Sequence, residues 1–221
     1  IAVSETHLRN EKSKCNQSSL SEEEIKFSLP NYCFVGKSRM INKKGGCGFF
    51  YRKDLQDSIT IEEDLSIFEE GLFESIFIRL RNNNSTNTAK DTIIGTMYLP
   101  TGQRINRPRI FEHFESITQK VEDKKCDCIL VGDMNIDMMK YGNDDQVGEY
   151  IDQFVANNFK FRLVQPSRVS HTSASLIDHI IDNLETNKVA TSGILTTQLY
   201  GSCGWTDHFP TYTIVKRPSP K

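Results

Sequence analysis

The feature that most constrains the fold is a short apolar run that ends in a glycine, followed by a carboxylate and an amide. The run Cys128-Ile129-Leu130-Val131 is typical of a buried strand, and Gly132 predicts a sharp turn directly after it. The turn would place Asp133 and Asn135 at the carboxyl edge of a sheet, where open α/β folds bind their ligands. Together with an imidazole from Asp207-His208, these groups could hold a metal ion, a water molecule and a phosphate. The combination favours phosphoester cleavage.

Composition narrows the class of protein. The chain has 221 residues, enough for one sizeable core, and its 25% charged and 37% hydrophobic residues are typical of a globular domain. The 27 basic and 29 acidic side chains give a net charge of −2, so any polyanion would have to be bound by a local basic patch. No stretch approaches the roughly 18 apolar residues of a membrane span, and the first residues lack the features of a signal peptide.

The six cysteines predict neither a zinc site nor a disulfide framework. They are scattered, with no Cys-x-x-Cys pair, at Cys15, Cys33, Cys47, Cys126, Cys128 and Cys203. Without a secretory signal, free thiols are favoured over disulfides. No internal repeat or linker divides the chain, so we expect one domain over residues 1–215 and the start of a linker at 216–221.

Hydrophobic periodicity predicts many short strands and two helices. Strands are expected at Tyr32–Val35, Gly48–Arg52, Ser75–Leu80, Thr92–Leu99, Cys128–Val131, Phe161–Val164, Leu176–Ile181 and Thr211–Val215. One helix is expected to begin at Pro108, where proline needs no amide proton, and another to run from about Asp145 to Asn158. The polar run Asn82–Asn87 is expected to form a hairpin tip. The pattern predicts a layered α/β sandwich.

Each candidate side chain also has an ordinary structural interpretation. Asp133 and Asn135 would suit an Asx-turn at a strand end, and Asp207-His208 could lie in a surface loop. Most glutamates placed like Glu5, just past a strand, are simply solvated. Asp178 differs because it interrupts an otherwise apolar strand, where a carboxylate is costly unless it is paired. A histidine is its natural partner.

The order of these pieces along the chain resembles the endonuclease/exonuclease/phosphatase superfamily. The matching segments are, in order, Glu5-Thr6-His7, Tyr98-Leu99-Pro100, Gly132-Asp133-Met134-Asn135, Ile177-Asp178-His179 and Asp207-His208-Phe209-Pro210. Gly132–Asp137 and Ser175–Asn183 are similar, more narrowly, to the apurinic endonuclease-like domains of non-LTR retrotransposons. The resemblance covers nearly the whole chain. It implies a four-layer α/β sandwich, with two mostly antiparallel sheets flanked by helices.

The resemblance also implies a ligand set and a division of labour. Glu5 would be the main ligand of Mg²⁺, with Mn²⁺ as an alternative, and Asp207 would add a second carboxylate to the metal or its water. Asp133 would orient and deprotonate the attacking water, while Asn135 would hold the phosphate or that water. His208 would donate a hydrogen bond to a phosphate oxygen, and Asp178 would fix the tautomer and orientation of its imidazole. Tyr98 would contact the phosphate through its hydroxyl.

Other polar residues near these segments are given no chemistry. Asp137 is expected to have a turn or helix-capping role. The remaining histidines are expected to be structural or exposed: His7, His113, His171 and His179.

DNA binding would need local positive charge, and two basic groups could supply it. The residues that we expect to contact DNA phosphates are Lys43, Lys44, Arg104, Arg107 and Arg109. An ordinary solvated strand face is an equal alternative for the group around Lys43. The resemblance further implies a nuclear protein that nicks one DNA strand, leaving a 3′-hydroxyl for a fused reverse transcriptase to extend.

The start of the chain departs from the superfamily pattern. Members of the superfamily begin with a further strand that carries an asparagine, and this sequence begins after it, so we expect a missing sheet strand and weak or no activity. Two alternatives stay open: a phosphoesterase acting on inositol phosphates or sphingomyelin, and a catalytically impaired remnant or DNA-binding domain. Nicking of DNA, release of phosphate and metal-independent DNA binding would distinguish the three.

Overall fold

The computed structural model describes residues 1–8, 29–40, 45–82, 90–102, 106–196 and 206–216. The strands in chain order are β1 Ala2–Ser4, β2 Tyr32–Lys37, β3 Cys47–Arg52, β4 Ile59–Ile61, β5 Phe68–Glu69, β6 Phe73–Leu80, β7 Thr92–Tyr98, β8 Asp127–Asp133, β9 Lys160–Phe161, β10 Arg168–Val169, β11 Ala174–Ser175, β12 Asp178–Asp182, β13 Val189–Ile194 and β14 Thr211–Val215. The two α-helices are α1 Arg107–Lys124 and α2 Asp145–Ala156, and short 3₁₀ turns cover Lys53–Ser58 and Met138–Lys140.

The seven-stranded sheet is the centre of the fold. Its strand order is β4-β6-β7-β8-β12-β9, and β5 pairs with β6 outside this path. All its pairs are antiparallel except β7 with β8, which are parallel. A parallel pair needs a crossover connection, and α1 provides it between these two strands. The crossover brings the carboxyl ends of β7 and β8 to the same edge of the sheet.

Both helices pack on one side of this sheet, where they bury the largest core. Pro108 lies in the first turn of α1, and the apolar positions after it are buried at helical spacing. Phe114 contacts the rings of Phe73, Tyr150 and Phe154, with centroids 5.2 to 5.5 Å apart. Ile93 on β7 belongs to the same cluster. Both predicted helices are therefore confirmed.

The other side of the seven-stranded sheet is covered by two separate pieces of sheet. One is three-stranded, in the order β1-β3-β2, and the other is the pair β13-β14. β1 lies against β7 and β8, while β14 lies against β12. Each piece has its own apolar cluster: Phe49, Ile76 and Ile78 belong to the first, and Ile129 and Ile180 to the second. The core on this side of the sheet is thus split in two.

The mixed α/β architecture with two mostly antiparallel sheet layers is confirmed. Of the four predicted layers, the described residues form three: helices, central sheet and second sheet. The strand predicted at Phe161–Val164 is shorter: it covers Lys160–Phe161, and Val164 beyond it is 89% exposed. The strand predicted from Leu176 begins only at Asp178.

Several smaller predictions can also be compared with the structure. β6 and β7 pair as the predicted hairpin requires, but most of its tip lies outside the described residues. Four cysteines are described and all are free thiols: Cys33, Cys47, Cys126 and Cys128. Among the described residues, neither helix combines the length and apolar character that crossing a bilayer requires. Of the predicted linker, only Lys216 is described, and it is exposed.

Candidate active site

The end of β8 is shaped by a glycine that no other residue could replace without displacing the backbone. Gly132 has a φ of +137°, and a Cβ there would lie 1.9 Å from the carbonyl oxygen of Met97 on β7. β7 therefore approaches β8 closely at this point. The backbone N–H of Leu99 then donates to the carbonyl oxygen of Asp133 at 3.0 Å. This contact holds the two strand ends together at the predicted edge.

Asp133 and Asn135 form a hydrogen-bonded turn at that edge. The backbone N–H of Asn135 donates to Oδ1 of Asp133 at 3.0 Å, and its side-chain Nδ2 lies 3.2 Å from Oδ2. Asn135 also donates from Nδ2 to the carbonyl oxygen of Leu99 at 2.7 Å. Its φ of +48° lies in the left-handed region, which asparagine tolerates better than most residues. The Asx-turn and the functional interpretation are therefore compatible, because the turn fixes both side chains.

The Asp133 carboxyl group is buried beside two other acids. Only 6% of the residue is exposed, and the pKa of Asp133 is raised to about 7, with burial as the largest cause. The neighbouring carboxylates of Asp178 and Glu5 contribute to the rise, while the Asn135 N–H and the His208 imidazole act in the opposite direction. The site therefore concentrates negative charge that the protein itself only partly neutralises.

Asp178 lies opposite Asp133 and binds the predicted imidazole. The two aspartates are register partners across β12 and β8. Oδ2 of Asp178 accepts a hydrogen bond from Nδ1 of His208 at 2.8 Å and another from the Ser167 hydroxyl at 2.7 Å. The hydrogen bond to Asp178 raises the pKa of His208 above its usual value, against the opposing effect of burial. With Nδ1 donating to the carboxylate, the other ring nitrogen, Nε2, is free of that hydrogen bond and lies 4.0 Å from Oδ1 of Asp207.

The segment that carries His208 is tied to β10. The carbonyl oxygen of Asp207 accepts from the N–H of Val169 at 3.0 Å, and the N–H of Phe209 donates to the carbonyl oxygen of Ser167 at 2.7 Å. Nε of Arg168 donates to the Asp207 carboxylate at 2.7 Å. Burial acts to raise the pKa of Asp207, but the Arg168 hydrogen bond, a backbone hydrogen bond and the charges of Arg168 and His208 together outweigh it, and the pKa lies below its usual value. The Asp207 carboxylate is thus already held by a guanidinium.

Glu5 reaches the same edge from β1 and is held by Tyr98. The Tyr98 hydroxyl, at the end of β7, donates to Oε1 of Glu5. Burial and this hydrogen bond raise the pKa of Tyr98 well above its usual value. The Tyr98 hydroxyl is therefore engaged with Glu5, and its predicted contact with phosphate stays a prediction.

A buried ion pair that the sequence analysis missed lies behind Tyr98. Arg39 binds the fully buried Glu74, and the N–H of Gly46 donates to Oε2 of Glu74 at 2.7 Å. The Arg39 guanidinium carbon is 6.0 Å from the centre of the Tyr98 ring. One signal was available: Glu74 interrupts an apolar strand, as Asp178 does. Arg39 lies in the same basic stretch as the predicted DNA contacts Lys43 and Lys44, but its own side chain is buried.

The donor set at this edge fits a hard divalent cation. One ligand atom each from Asp133, Asp178 and His208 lies within 4.8 Å of the other two. Glu5 is close enough to influence the charge of Asp133. Three carboxylates around one imidazole leave an excess of oxygen donors and negative charge, which Mg²⁺ and similar ions bind preferentially. The carboxylates of Glu5 and Asp133 are the ones that no basic side chain among the described residues holds at hydrogen-bond distance.

The basic residues predicted to bind DNA lie elsewhere or beyond the described residues. Arg107 and Arg109 begin α1, where Arg107 pairs with Glu149 and Arg109 with Glu69 at 3.0 Å. Three predicted contacts fall outside the described residues: Lys43, Lys44 and Arg104. Phosphate contacts by these five residues therefore stay a prediction.

Asp137 and the four other histidines are structural or exposed, as predicted. Asp137 caps the 3₁₀ turn after the site, because its Oδ1 accepts from the N–H groups of Met139 and Leu176. His179 is buried on the helical side, 2.8 Å from the Tyr150 hydroxyl. His113 pairs with Glu69, while His7 and His171 are exposed.

Solved structures with the same arrangement of strands and helices include several nucleases. The endonuclease domain of TRAS1, a telomere-specific non-LTR retrotransposon, superposes with a TM-score of 0.63 at 11% identity, over 86% of this chain and 83% of that chain. An endonuclease/exonuclease/phosphatase family protein from Leptotrichia buccalis gives 0.59 at 12% identity, over 98% and 87%. The 3′ phosphatase NExo from Neisseria, bound to product DNA hairpin, gives 0.64 at 12% identity, over 98% and 88%.

The chain has the endonuclease/exonuclease/phosphatase fold. This agrees with the resemblance that the order of the sequence segments predicted. No family model and no curated protein matches the sequence. The likeness is therefore one of three-dimensional structure. The chemistry of this chain depends on the residues of its own site.

Two site residues on this fold carried no signal in the sequence. Ser167 is fully buried, and its hydroxyl accepts from the N–H groups of Ile177 and Asp178 while donating to the Asp178 carboxylate. Arg168 holds Asp207. Ser167 directly precedes the two-residue strand β10 and Arg168 begins it, a stretch too short to show periodicity, and only the tertiary structure brings them to the site.

Proposed function

We propose that this chain is a metal-dependent phosphodiesterase that nicks one strand of DNA. The observation that carries the proposal is the convergence of Asp133, Asp178 and His208, three residues remote in sequence, with one ligand atom of each within 4.8 Å of the others. Glu5 reaches the same edge from β1, held by Tyr98. A carboxylate cluster with an oriented imidazole supplies the base, the cation site and the phosphate donor that phosphodiester hydrolysis needs.

Asp133 is the candidate general base. Its carboxylate is fixed by the two hydrogen bonds from Asn135, so it can accept a proton from a water molecule without reorienting. Asn135 has a carbonyl oxygen left to orient that water, because its amide nitrogen already donates to Leu99. Both side chains are positioned by the same backbone turn.

His208 is the candidate donor to the phosphate. Asp178 accepts from Nδ1, which leaves Nε2 to donate to a non-bridging phosphate oxygen when the ring is protonated. The hydrogen bond from Ser167 to Asp178 fixes the carboxylate, and the carboxylate fixes the imidazole. Asp178 is therefore a positioning residue in this proposal.

Glu5 would be the main ligand of Mg²⁺ or Mn²⁺, and Asp207 could join it only if Arg168 released its carboxylate. A divalent cation bound there would neutralise charge on the phosphate oxygens and favour the hydroxide form of a nearby water. Tyr98 would keep the Glu5 carboxylate oriented towards the cation.

DNA is the proposed substrate because the names of two similar solved structures refer to a retrotransposon endonuclease and to bound DNA. TRAS1 contributes a retrotransposon endonuclease domain, and NExo was solved with a DNA hairpin. Arg107 and Arg109, with the predicted Lys43, Lys44 and Arg104, would supply phosphate contacts. Insertion of a retrotransposon, a fused reverse transcriptase and a nuclear location are the wider setting that we propose.

The test is nicking of supercoiled plasmid with and without Mg²⁺ or EDTA. We expect slow conversion to open circles that requires the metal ion. Asp133→Asn should lower the rate by about 10²- to 10⁴-fold, because it removes the base. Asp137→Asn is the matched control, since it lies in the same Gly-Asp-Met-Asn-Ile-Asp segment but only caps a turn. It should keep the wild-type rate.

Three outcomes would contradict the proposal. Nicking that persists in EDTA or in Asp133→Asn would show that the activity does not arise at this site. Release of phosphate from an inositol phosphate, with no nicking of DNA, would instead favour the small-molecule phosphoesterase. Binding of DNA without metal or cleavage would favour a binding domain.

A further inference from the structure

Glu5 has the weakest local support of the carboxylates at the candidate active site. It is exposed and follows the three-residue strand β1, whereas Asp133 is buried at the end of a seven-residue strand. Its φ of +50° lies in the left-handed region, which is unfavourable for a glutamate. Groups from elsewhere in the chain must therefore hold Glu5 in place if its carboxylate is to bind a cation.

Two glycines hold the backbone directly after Glu5. The N–H of Thr6 donates to the carbonyl oxygen of Gly46 at 3.2 Å, and the N–H of His7 donates to that of Gly45 at 2.9 Å. A Cβ on Gly46 would lie 2.5 Å from the Thr6 hydroxyl oxygen, so a glycine is needed for this approach. The position of Glu5 thus depends on the position of these glycines.

The glycine segment is in turn fixed by the buried carboxylate of Glu74. Its Oε2 accepts from the N–H of Gly46 at 2.7 Å, and its Oε1 accepts from the N–H of Gly71 at 3.1 Å. The guanidinium of Arg39 neutralises its charge. A buried ion pair adds little net stability compared with apolar side chains of the same size. Its evident effect here is to fix where three separate segments lie.

Arg39 also lies against both of the groups that hold Glu5. Its guanidinium carbon is 6.0 Å from the centre of the Tyr98 ring, and the Tyr98 hydroxyl donates to Glu5. On the glycine segment, a Cβ at Gly45 would lie 2.3 Å from Nε of Arg39. Glu74 and Tyr98 are register partners across β6 and β7. One ion pair therefore lies behind both supports of the Glu5 carboxylate.

We propose that Glu74 and Arg39 are positioning residues for the Glu5 carboxylate. Through Gly46 they fix the backbone around Glu5, and through Tyr98 they fix the direction of its side chain. The side chain of Arg39 is 8% exposed and that of Glu74 is fully buried, so both act through other residues.

The consequence for the site is a change in metal affinity, and it rests on the proposed function, in which Glu5 is the main metal ligand. Loss of a group that orients a metal ligand typically weakens metal binding by about 10- to 100-fold. Asp133 keeps its two hydrogen bonds from Asn135. The metal concentration for half-maximal nicking should therefore rise more than the rate at saturating metal falls.

The test compares the same substitution in two buried ion pairs. Arg39→Lys keeps the charge but lacks the planar guanidinium, and it avoids the unpaired buried charge that Glu74→Ala would leave. Arg162→Lys is the matched control, because Arg162 pairs with the buried Asp182 at the opposite end of β12 from Asp178. Circular dichroism verifies that both variants keep the fold.

The first measurement needs neither metal nor DNA. Protein labelled with [¹³Cζ]tyrosine has seven tyrosine signals, and Tyr98→Phe identifies the one from Tyr98. Glu5→Ala gives the position of this signal when the hydrogen bond is lost. Arg39→Lys should move the signal towards that position, and Arg162→Lys should leave it unchanged. An unmoved signal in Arg39→Lys, or equal movement in both variants, overturns the proposal.

The second measurement is titration with Mn²⁺, followed by electron paramagnetic resonance of the free ion. Arg39→Lys should raise the Kd about tenfold, and Arg162→Lys should leave it unchanged. A Kd in Arg39→Lys equal to that of the wild type overturns the proposal. A wild type that neither binds Mn²⁺ nor nicks DNA contradicts the proposed function, whereas the Tyr98 signal decides the positioning role by itself. The two failures can therefore be distinguished.

Discussion

The two faces of the central sheet are built in opposite ways. On the helical face, Phe114, Tyr150 and Phe154 are fully buried in one continuous aromatic cluster. On the site face, the apolar contacts are divided into separate clusters, and the ends of the strands carry acids and an imidazole. The comparison teaches that one face holds most of the stabilising burial, while the other accommodates polar groups that are costly to bury but able to do chemistry.

The largest effect on stability is expected on the helical face. Phe114→Ala should lower the free energy of unfolding by about 3–5 kcal/mol, since it leaves a cavity between three rings. Val155→Ala on α2 is the control, because Val155 is 54% exposed, and it should change the free energy by less than about 0.5 kcal/mol. Urea denaturation followed by circular dichroism measures both. A loss below about 1 kcal/mol for Phe114→Ala would show that this cluster is not the main source of stability.

A buried histidine on the helical face should make stability depend on pH. Burial lowers the pKa of His179 from 6.5 to about 4, so between these values the unfolded chain binds a proton that the folded protein does not. The contribution is fully present above pH 6.5 and is lost as the pH falls towards 4, by roughly 3 kcal/mol in all. Unfolding free energies measured from pH 4 to 7 should show this slope in the wild type.

The substitution His179→Gln is the control for that slope. Glutamine has no titrating group, but its amide can still bind the Tyr150 hydroxyl and the Leu176 carbonyl oxygen that His179 contacts. A slope in the variant equal to that of the wild type would assign the pH dependence to other groups.

On the site face, a substitution should change chemistry more than stability. Asp178→Asn should lower the nicking rate by about 10- to 100-fold, because the imidazole loses its charged partner while the hydrogen bond from Ser167 can persist. The pKa of His208 should fall towards its usual value, as measured by NMR titration of the ring. Asp207→Asn is the comparison variant, because Asp207 raises the pKa of His208 less than Asp178 does. A His208 pKa unchanged in Asp178→Asn would remove Asp178 from the proposed mechanism.

The smallest effect separates neighbours on one strand. Ile93 and Ile94 are adjacent on β7, but Ile93 is fully buried on the helical face and Ile94 lies half-buried on the site face. Ile93→Ala should cost about 2–5 kcal/mol of unfolding free energy, and Ile94→Ala roughly 1 kcal/mol. Similar losses for both variants would mean that the site face is packed as tightly as the helical face.

Much of the fold could be predicted because its signals are local. The helix after Pro108 and the strand before Gly132 were confirmed, since periodicity and turn chemistry act within a few residues. β13 was missed because Val189–Ile194 is largely polar and half-exposed, so its pairing with β14 depends on residues far along the chain. The paired length of the strand at Phe161 depends on its partner β12, which is equally remote.

The candidate site divides in the same way. The need for a partner at Asp178 was readable, because a carboxylate in an apolar strand is costly unless paired, and His208 is that partner in the structure. The same reasoning predicts a partner for Glu74, which interrupts an apolar strand and is bound by Arg39. The partners of Asp207 and Tyr98 could not be predicted, because no spacing in the sequence relates these residues to Arg168 and Glu5.

By itself, the sequence determined where both helices and the main strands of the central sheet lie, which side chains follow the strand ends, and which buried acid must be neutralised. Only the tertiary structure decided which partner each polar group has and that the core on the site face is divided. The reason is physical. Backbone preferences and hydrophobic periodicity are local properties, whereas hydrogen bonding and packing depend on which distant segments the chain brings within a few ångströms of each other.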